Sequence, residues 1–244
     1  MRLNRVYCDQ PLAGRPEVEL PAAAAYHVAR VLRLRAGAPL TVFDGTGDDF
    51  RCEIASVEGE RVRVRIGERA TGLGESPLAI TLVQAVSRSE RMDWTLQKAT
   101  ELGVRAIAPV LSARSVVRLD GQQAAKKLRP GRPTAPGPGD HCGPSPFPEA
   151  RPPLELRRFL AEAPRSGQRL VLSPDGPTSL AGLASVAARV ELLIGPEGGL
   201  DDAELDAAVR AGYTPVRLGP RILRTETAGI VALAVLQGLW GDLQ

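Results

Sequence analysis

Two stretches in the C-terminal part of this chain constrain its fold more than any others. Val190 to Ile194 and Thr214 to Leu218 are short runs of strand character, and each passes directly into a glycine-led loop and then a helical pattern. The first loop is Ile194-Gly195-Pro196-Glu197-Gly198-Gly199-Leu200. The second is Leu218-Gly219-Pro220-Arg221-Ile222-Leu223-Arg224-Thr225-Glu226-Thr227-Ala228. A repeated strand, glycine loop and helix predicts an α/β architecture with a largely parallel sheet. Glycine at a strand end lets a ligand approach the backbone, because no Cβ stands in the way. Two such loops in succession point to one ligand held between them, with Arg224, Glu197 and Glu226 around it.

The alternation continues upstream. Leu78 to Val86 reads as a strand, Met92 to Leu102 as a helix closed by Gly103 at C′, Val104 to Val110 as the next strand, and Arg169 to Leu172 as another. Asp201-Asp202-Ala203-Glu204 is a helix start with Glu204 at N3, and Gly212 its C-terminal stop. The last helix, Glu226 to Trp240, is apolar nearly all round, so it is buried in the fold or at a subunit interface. A homodimer is the expected way to cover its Ile230–Leu239 stripe.

Residues 1–70 follow another rule. Leu40 to Phe43, Arg51 to Val57 and the alternating Val62, Val64 and Ile66 read as short strands with tight turns between them, which predicts a small β-barrel domain. Ala22 to Leu34 is the expected helix there. Residues 71–77 read as a linker and 78–244 as the second domain. The segment 129–153 stands apart, with nine prolines and four glycines, and no helix or central strand survives that density.

The 244 residues are 43% hydrophobic and 24% charged, an ordinary globular balance. The longest apolar stretch, Ile230–Leu236, is too short to span a membrane, and the first residues lack the apolar core of a signal peptide. A cytoplasmic protein is expected. Cys8, Cys52 and Cys142 form no disulfide framework or zinc spacing, and with only His27 and His141 beside them no metal site is expected. The net charge is only +3, and residues 1–70 hold 11 arginines against 10 carboxylates, so any charge recognition must be local. Arg30, Arg33 and Arg35 make one cluster, and Arg114, Arg118, Lys126, Lys127 and Arg129 another; either alone reads as a solvated face.

Common nucleotide and hydrolase signatures are absent: there is no G-x-x-x-x-G-K-[ST], no G-x-G-x-x-G after a strand, and no G-x-S-x-G. Taken together, other motifs resemble the RsmE family of SPOUT-class methyltransferases. They are His27 with Val31-Leu32-Arg33, Phe43-Asp44-Gly45, Arg91-Met92-Asp93, Gln97 to Val104, Arg114-Ser115, Gly195 to Gly199, and Leu218-Gly219 with Arg221 to Ala228. The resemblance covers almost the whole chain. It implies a C-terminal trefoil-knot domain that binds S-adenosylmethionine and a PUA-like N-terminal domain that binds RNA. The implied reaction is N3-methylation of a uridine in small-subunit (16S) ribosomal RNA, with that RNA or the small subunit as partner.

The resemblance also implies residue roles. Leu172, Ser173, Ile194, Gly195, Pro196, Glu197, Gly198, Gly199, Leu218, Gly219, Ile222, Leu223, Arg224 and Thr225 would line the donor pocket. His27, Arg30, Arg33, Arg35, Arg91 and Arg114 would meet RNA. N3 of uracil must lose a proton, so a cation beside the carbonyl oxygens would stabilise the developing anion, first Arg224 and second Arg114. Glu197 or Glu226 would accept that proton, or else brace its own loop. Gln97, Lys98 and Glu101 would serve the fold or the RNA face, and Lys98 with Glu101 would pair on a helix surface. Residues 129–148 leave the family pattern abruptly, while it holds on both sides, as a local shift of reading frame in a GC-rich gene would produce. Two further readings stay open on the residues: a SPOUT-class enzyme acting on another RNA, such as tRNA, and a catalytically impaired RNA-binding or ribosome-assembly protein.

Overall fold

The computed structural model describes residues 4–71, 75–115, 148–162 and 167–243. Arg118, Lys126, Lys127, Arg129, His141, Cys142, residues 72–74 of the expected linker and residues 129–147 of the divergent segment lie outside the described residues. The chain divides into two units between Glu75 and Ser76.

In the N-terminal unit, β1 (Arg5–Tyr7), β2 (Glu17–Glu19), β3 (Pro39–Phe43), β4 (Asp48–Glu58) and β5 (Arg61–Thr71) form one sheet in the order β1-β3-β4-β5-β2. The meander β3-β4-β5 is antiparallel, whereas β1 runs parallel to β3. Val62 and Val64 are buried and Arg61, Arg63 and Arg65 exposed, as a strand with one wet face requires. β5 continues to Thr71, one residue into the expected linker. Val6, Leu12, Leu40, Val42 and Ile54 fill the core with those valines. Arg5 donates twice to Asp49, at 2.9 Å each, and its guanidinium lies 3.6 Å from the centroid of the Phe43 ring. A buried cation needs such a partner to offset its desolvation.

The helix expected over 22–34 is not continuous. An α-helix, α1 (Ala22–Tyr26), widens into a π-helical turn at His27–Val31, where the Leu32 amide donates to His27 O at 2.9 Å. The Leu34 amide then returns to Val28 O at 3.0 Å, and Arg33 takes a φ of +53°. Val28 and Leu34 both pack on the core, and the wider turn lets both reach it.

The second unit is a parallel sheet covered on both faces. Its strands are β6 (Ala79–Ala85), β7 (Ala106–Leu111), β8 (Glu149–Ala150), β9 (Leu154–Glu155), β10 (Gln168–Leu172), β11 (Thr178–Ser179), β12 (Arg189–Ile194) and β13 (Thr214–Arg217). The order is β11-β13-β10-β12-β6-β7-β8, with β9 also on β7. Its helices are α2 (Ser89–Glu101), α3 (Leu156–Glu162), α4 (Asp202–Arg210) and α5 (Thr225–Trp240). Ile80, Leu82, Leu192 and Ile194 pack with Met92 and Leu96 of α2 and with Ala232, Leu233 and Leu236 of α5. Val83, Ala85, Val171 and Leu193 pack with Phe159 of α3 and Ala208 of α4. Successive strand residues thus serve opposite cores, which is why these strands are largely apolar along their length. Gln237 of α5 caps the end of α2, donating to Leu102 O at 3.0 Å, and accepts from Ser76 Oγ at 2.6 Å. Among the described residues no helix is long and apolar enough to cross a membrane, and no group of His, Cys, Asp or Glu could hold a metal ion.

Candidate functional site

The register of the parallel sheet brings the carboxyl ends of its central strands level. Leu172 pairs with Val216, Ile194 with Gln84, and Gln84 with Pro109. Ligands of open α/β sheets bind in the crevice beyond such ends. Both glycine loops and the Leu172-Ser173 step open there. The Ser173 amide donates to Val216 O at 2.9 Å, so this third wall is held to β13.

The first loop, after β12, is anchored at nearly every residue. Thr225, the first residue of α5, donates through Oγ1 to Gly195 O. Glu197 accepts from Arg91 Nη1 at 3.1 Å. Gly198 O accepts from Arg114 Nη1 at 2.9 Å, and the Gly199 amide donates to Pro196 O at 2.9 Å. A Cβ on Gly195 would stand 3.0 Å from the Leu200 amide nitrogen, and one on Gly198 would stand 3.3 Å from Arg114 Cβ. Glycine is needed at Gly195 for backbone approach and at Gly198 for the arginine stem lying across it.

Arg114 reaches that position because of Glu204. The capping box read from the sequence is present: Asp201 Oδ1 accepts from the Glu204 amide at 2.7 Å, and the Glu204 carboxylate accepts from the Asp201 amide at 3.1 Å. The same carboxylate reaches across to accept from the Ala113 amide at 2.7 Å. It therefore fixes the turn after β7 that carries Arg114, a contact between residues 91 apart that no local pattern foretells.

Gln84 was missed altogether. It is 1% exposed, and its Nε2 donates to Thr225 Oγ1 at 3.1 Å and to Ala85 O at 3.1 Å. Through Thr225 it ties β6 to the base of both loops. Its Oε1 is buried with no hydrogen-bond partner among the described residues, 3.3 Å from where a Cβ of Gly229 would lie. A glutamine inside the otherwise apolar Leu78–Val86 strand is the sequence signal for such a residue, since a buried amide must be bonded.

The second loop is different. Leu218 packs on the core and Gly219 has a φ of +113°, which only glycine adopts freely. Pro220, Arg221, Ile222 and Arg224 are exposed, Ile222 to 85%. Arg224 is the N-cap residue of α5 and makes no side-chain hydrogen bond or ion pair with a described residue. Of the four expected catalytic residues, Glu197 and Glu226 are brought together on Arg91, at 3.1 and 3.8 Å. Arg114 is committed to the first loop, and Arg224 is left unengaged. Glu226 Oε2 is buried and has no partner among the described residues. Lys98 and Glu101 pair at 2.8 Å on the surface of α2.

In the N-terminal unit His27 is buried, while Arg30, Arg33 and Arg35 are exposed beside exposed Tyr26 and Val31. The arginines of β4 and β5 largely pair across strands: Arg51 with Glu68, Arg61 with Glu19, Arg65 with Glu53 and Arg69 with Asp48. Arg30, Arg33 and Arg35 have no carboxylate partner among the described residues. Arg33 also holds a left-handed backbone that disfavours any residue with a Cβ by about 1 kcal/mol.

Residues 74–237 match the RNA methyltransferase domain family, and residues 20–67 match the RNA methyltransferase PUA domain family. A methyltransferase from Legionella pneumophila, solved with bound cofactor SAM, shares 38% identity at a TM-score of 0.85, covering 99% of this chain and 100% of its own. Ribosomal RNA small subunit methyltransferase E from Neisseria gonorrhoeae, solved bound to S-adenosyl methionine, shares 36% identity at a TM-score of 0.83 over 100% of both chains. The protein of that name from the Schizaphis graminum subspecies of Buchnera aphidicola is 30% identical over 99% of this chain and 98% of its own length.

Proposed function

Since the chain belongs to the ribosomal RNA small subunit methyltransferase E family, we propose that it transfers a methyl group from S-adenosylmethionine to N3 of a uridine in small-subunit ribosomal RNA. It is an RNA methyltransferase that uses S-adenosylmethionine, with a SPOUT trefoil-knot α/β domain and a PUA-like N-terminal domain. The observation that carries the site assignment is the tie from Thr225 to Gly195 O, which closes the bases of both glycine loops on one crevice.

The residues of that crevice suit the donor. Gly195 and Gly198 keep the backbone bare, Leu218 and Leu223 offer apolar contacts, and the pair Glu197 and Glu226 outweighs Arg91 by one negative charge. Bound there, S-adenosylmethionine supplies a methyl group on a positively charged sulfur. A net negative wall favours that cation. Arg224, free of any carboxylate, stabilises the charge that develops on the uracil carbonyl oxygens as N3 loses its proton. Glu226 accepts the proton: Arg91 faces only its Oε1, at 3.8 Å, and its buried Oε2 has an open acceptor site, whereas Glu197 accepts a hydrogen bond from Arg91 at 3.1 Å. Arg114 serves the first loop. Arg30, Arg33 and Arg35 bind RNA phosphates, and His27 braces the core beneath them. The protein acts in the cytoplasm as a homodimer, with exposed Ile222 and Leu239 and the α5 stripe covered by a second copy. Sedimentation at micromolar concentration checks this, and a clean monomer rejects it.

The deciding experiment supplies methyl-labelled donor and undermethylated small ribosomal subunits, then maps the modified base. Label at N3 of a uridine is the expected result. Label on tRNA alone rejects the substrate. Failure of the wild-type protein to bind the donor in calorimetry rejects the enzyme and favours an RNA-binding assembly protein.

A further inference from the structure

Arg91 joins three elements that are distant in sequence. It is the third residue of α2, its Nη1 meets Glu197 of the first loop at 3.1 Å, and its Nε faces Glu226 at the start of α5 at 3.8 Å. A cation in the first turn of a helix opposes the helix dipole, so something else must keep it there. Two carboxylates do so. They are also like charges that would repel each other without a cation between them. The guanidinium suits this task because its Nε and Nη1 can face two acceptors at once, which an ammonium cannot do from one fixed position.

The surroundings argue against an RNA contact. The side chains of both carboxylates are less exposed than that of Arg91, at 21% and 13% against 37%. A phosphate approaching Arg91 would meet two negative groups already bound to it. Arg30, Arg33 and Arg35 have no such obstacle. We infer that Arg91 is a positioning residue of the donor pocket, a clamp that holds the loop at Glu197 against the start of α5, and that it makes no contact with RNA. The inference rests on the assignment of the crevice as the donor site.

The test compares Arg91→Gln and Arg91→Lys with the wild type. Hydrogen exchange on the ligand-free protein should show faster exchange at residues 195–200 in Arg91→Gln, with little change in the melting temperature. Calorimetry should show donor affinity weakened by about tenfold, the scale of one lost charge-assisted contact. The KM for donor should rise with kcat nearly kept, and Arg91→Lys should recover part of both losses. Affinity for a small-subunit RNA fragment and its salt slope should stay as in the wild type. A salt slope reduced by about one, with exchange and donor affinity unchanged, would overturn the inference and make Arg91 a phosphate contact. Wild-type donor binding in the same assay separates this outcome from failure of the donor-site assignment.

Discussion

The two glycine loops sit at ends of the same sheet, yet they are built on opposite plans. The loop at Gly195–Gly199 is bonded to three other elements, through Thr225, Arg91 and Arg114. Among the described residues, the loop at Leu218–Arg224 packs on the core through Leu218, passes into α5 where the Ala228 amide donates to Arg224 O at 2.7 Å, and exposes Ile222 and the Arg224 side chain. A pinned loop presents fixed backbone groups, so it suits a small ligand of constant shape. An open loop has unspent contacts, and these are what a large RNA or a second subunit can use. On the proposed function the difference is a division of labour: the first loop holds the donor on fixed backbone groups, while the second lends it Leu218 and Leu223 and keeps its exposed residues for what arrives later.

The largest expected effect tests the chemical half of that division. Arg224→Ala should lower kcat by about 10²- to 10³-fold, the usual cost of removing a donor to a developing oxyanion. Donor affinity and thermal stability should hardly change. A collapse of donor affinity in calorimetry would break the comparison, because the open loop would then be doing the holding. The pinned loop answers to Glu204. Glu204→Ala removes the capping box and leaves the Ala113 amide without its acceptor. A stability loss of about 2 kcal/mol is expected, which a melting curve would show as a drop of several degrees. Donor affinity should fall with it, as Arg114 loses its place.

The arginine segment of the N-terminal unit extends the comparison, because it too is an unengaged surface. Arg33→Gly should relieve the left-handed strain at φ +53° and stabilise the protein by about 1 kcal/mol in denaturant titration, while weakening RNA binding. Weaker RNA binding without added stability would mean that the backbone there is not strained. The smallest effect is reserved for Ile222→Ser. Folding stability should move by no more than about 0.5 kcal/mol, and any loss should appear only in self-association or RNA affinity.

Much of this was legible in the sequence where the signal was local. The strand and loop pairs at 190–200 and 214–228 read correctly because each short strand, with Leu192 to Ile194 buried in one and Val216 in the other, runs straight into a glycine loop. The capping box at Asp201 and Glu204 read correctly because its partners are three residues apart. The second bond of Glu204, to Ala113, was not legible, since it depends on how β7 and α4 come to lie side by side. The partners of Arg91 were not legible for the same reason: its carboxylates are supplied by other loops, 106 residues away for Glu197. The π-helical turn at His27–Val31 escaped because helical periodicity records which residues are apolar. It does not record that Val28 and Leu34 must reach one core six residues apart. The two-residue strands β8, β9 and β11 are too short for any pattern to mark.

The hydrogen bond from Gln84 to Thr225 joins residues 141 apart in sequence. A ribosome making this chain releases Gln84 long before Thr225 exists. Until α5 is synthesised and docks, β6 carries a buried amide with half its bonds missing, and Gly195 lacks the hydroxyl that fixes its carbonyl. Contacts of such separation form late, because loop closure must come before they are made. The crevice proposed for the donor is therefore among the final features to appear as the protein matures, and on that proposal a chain still emerging from the ribosome should be unable to bind the methyl donor.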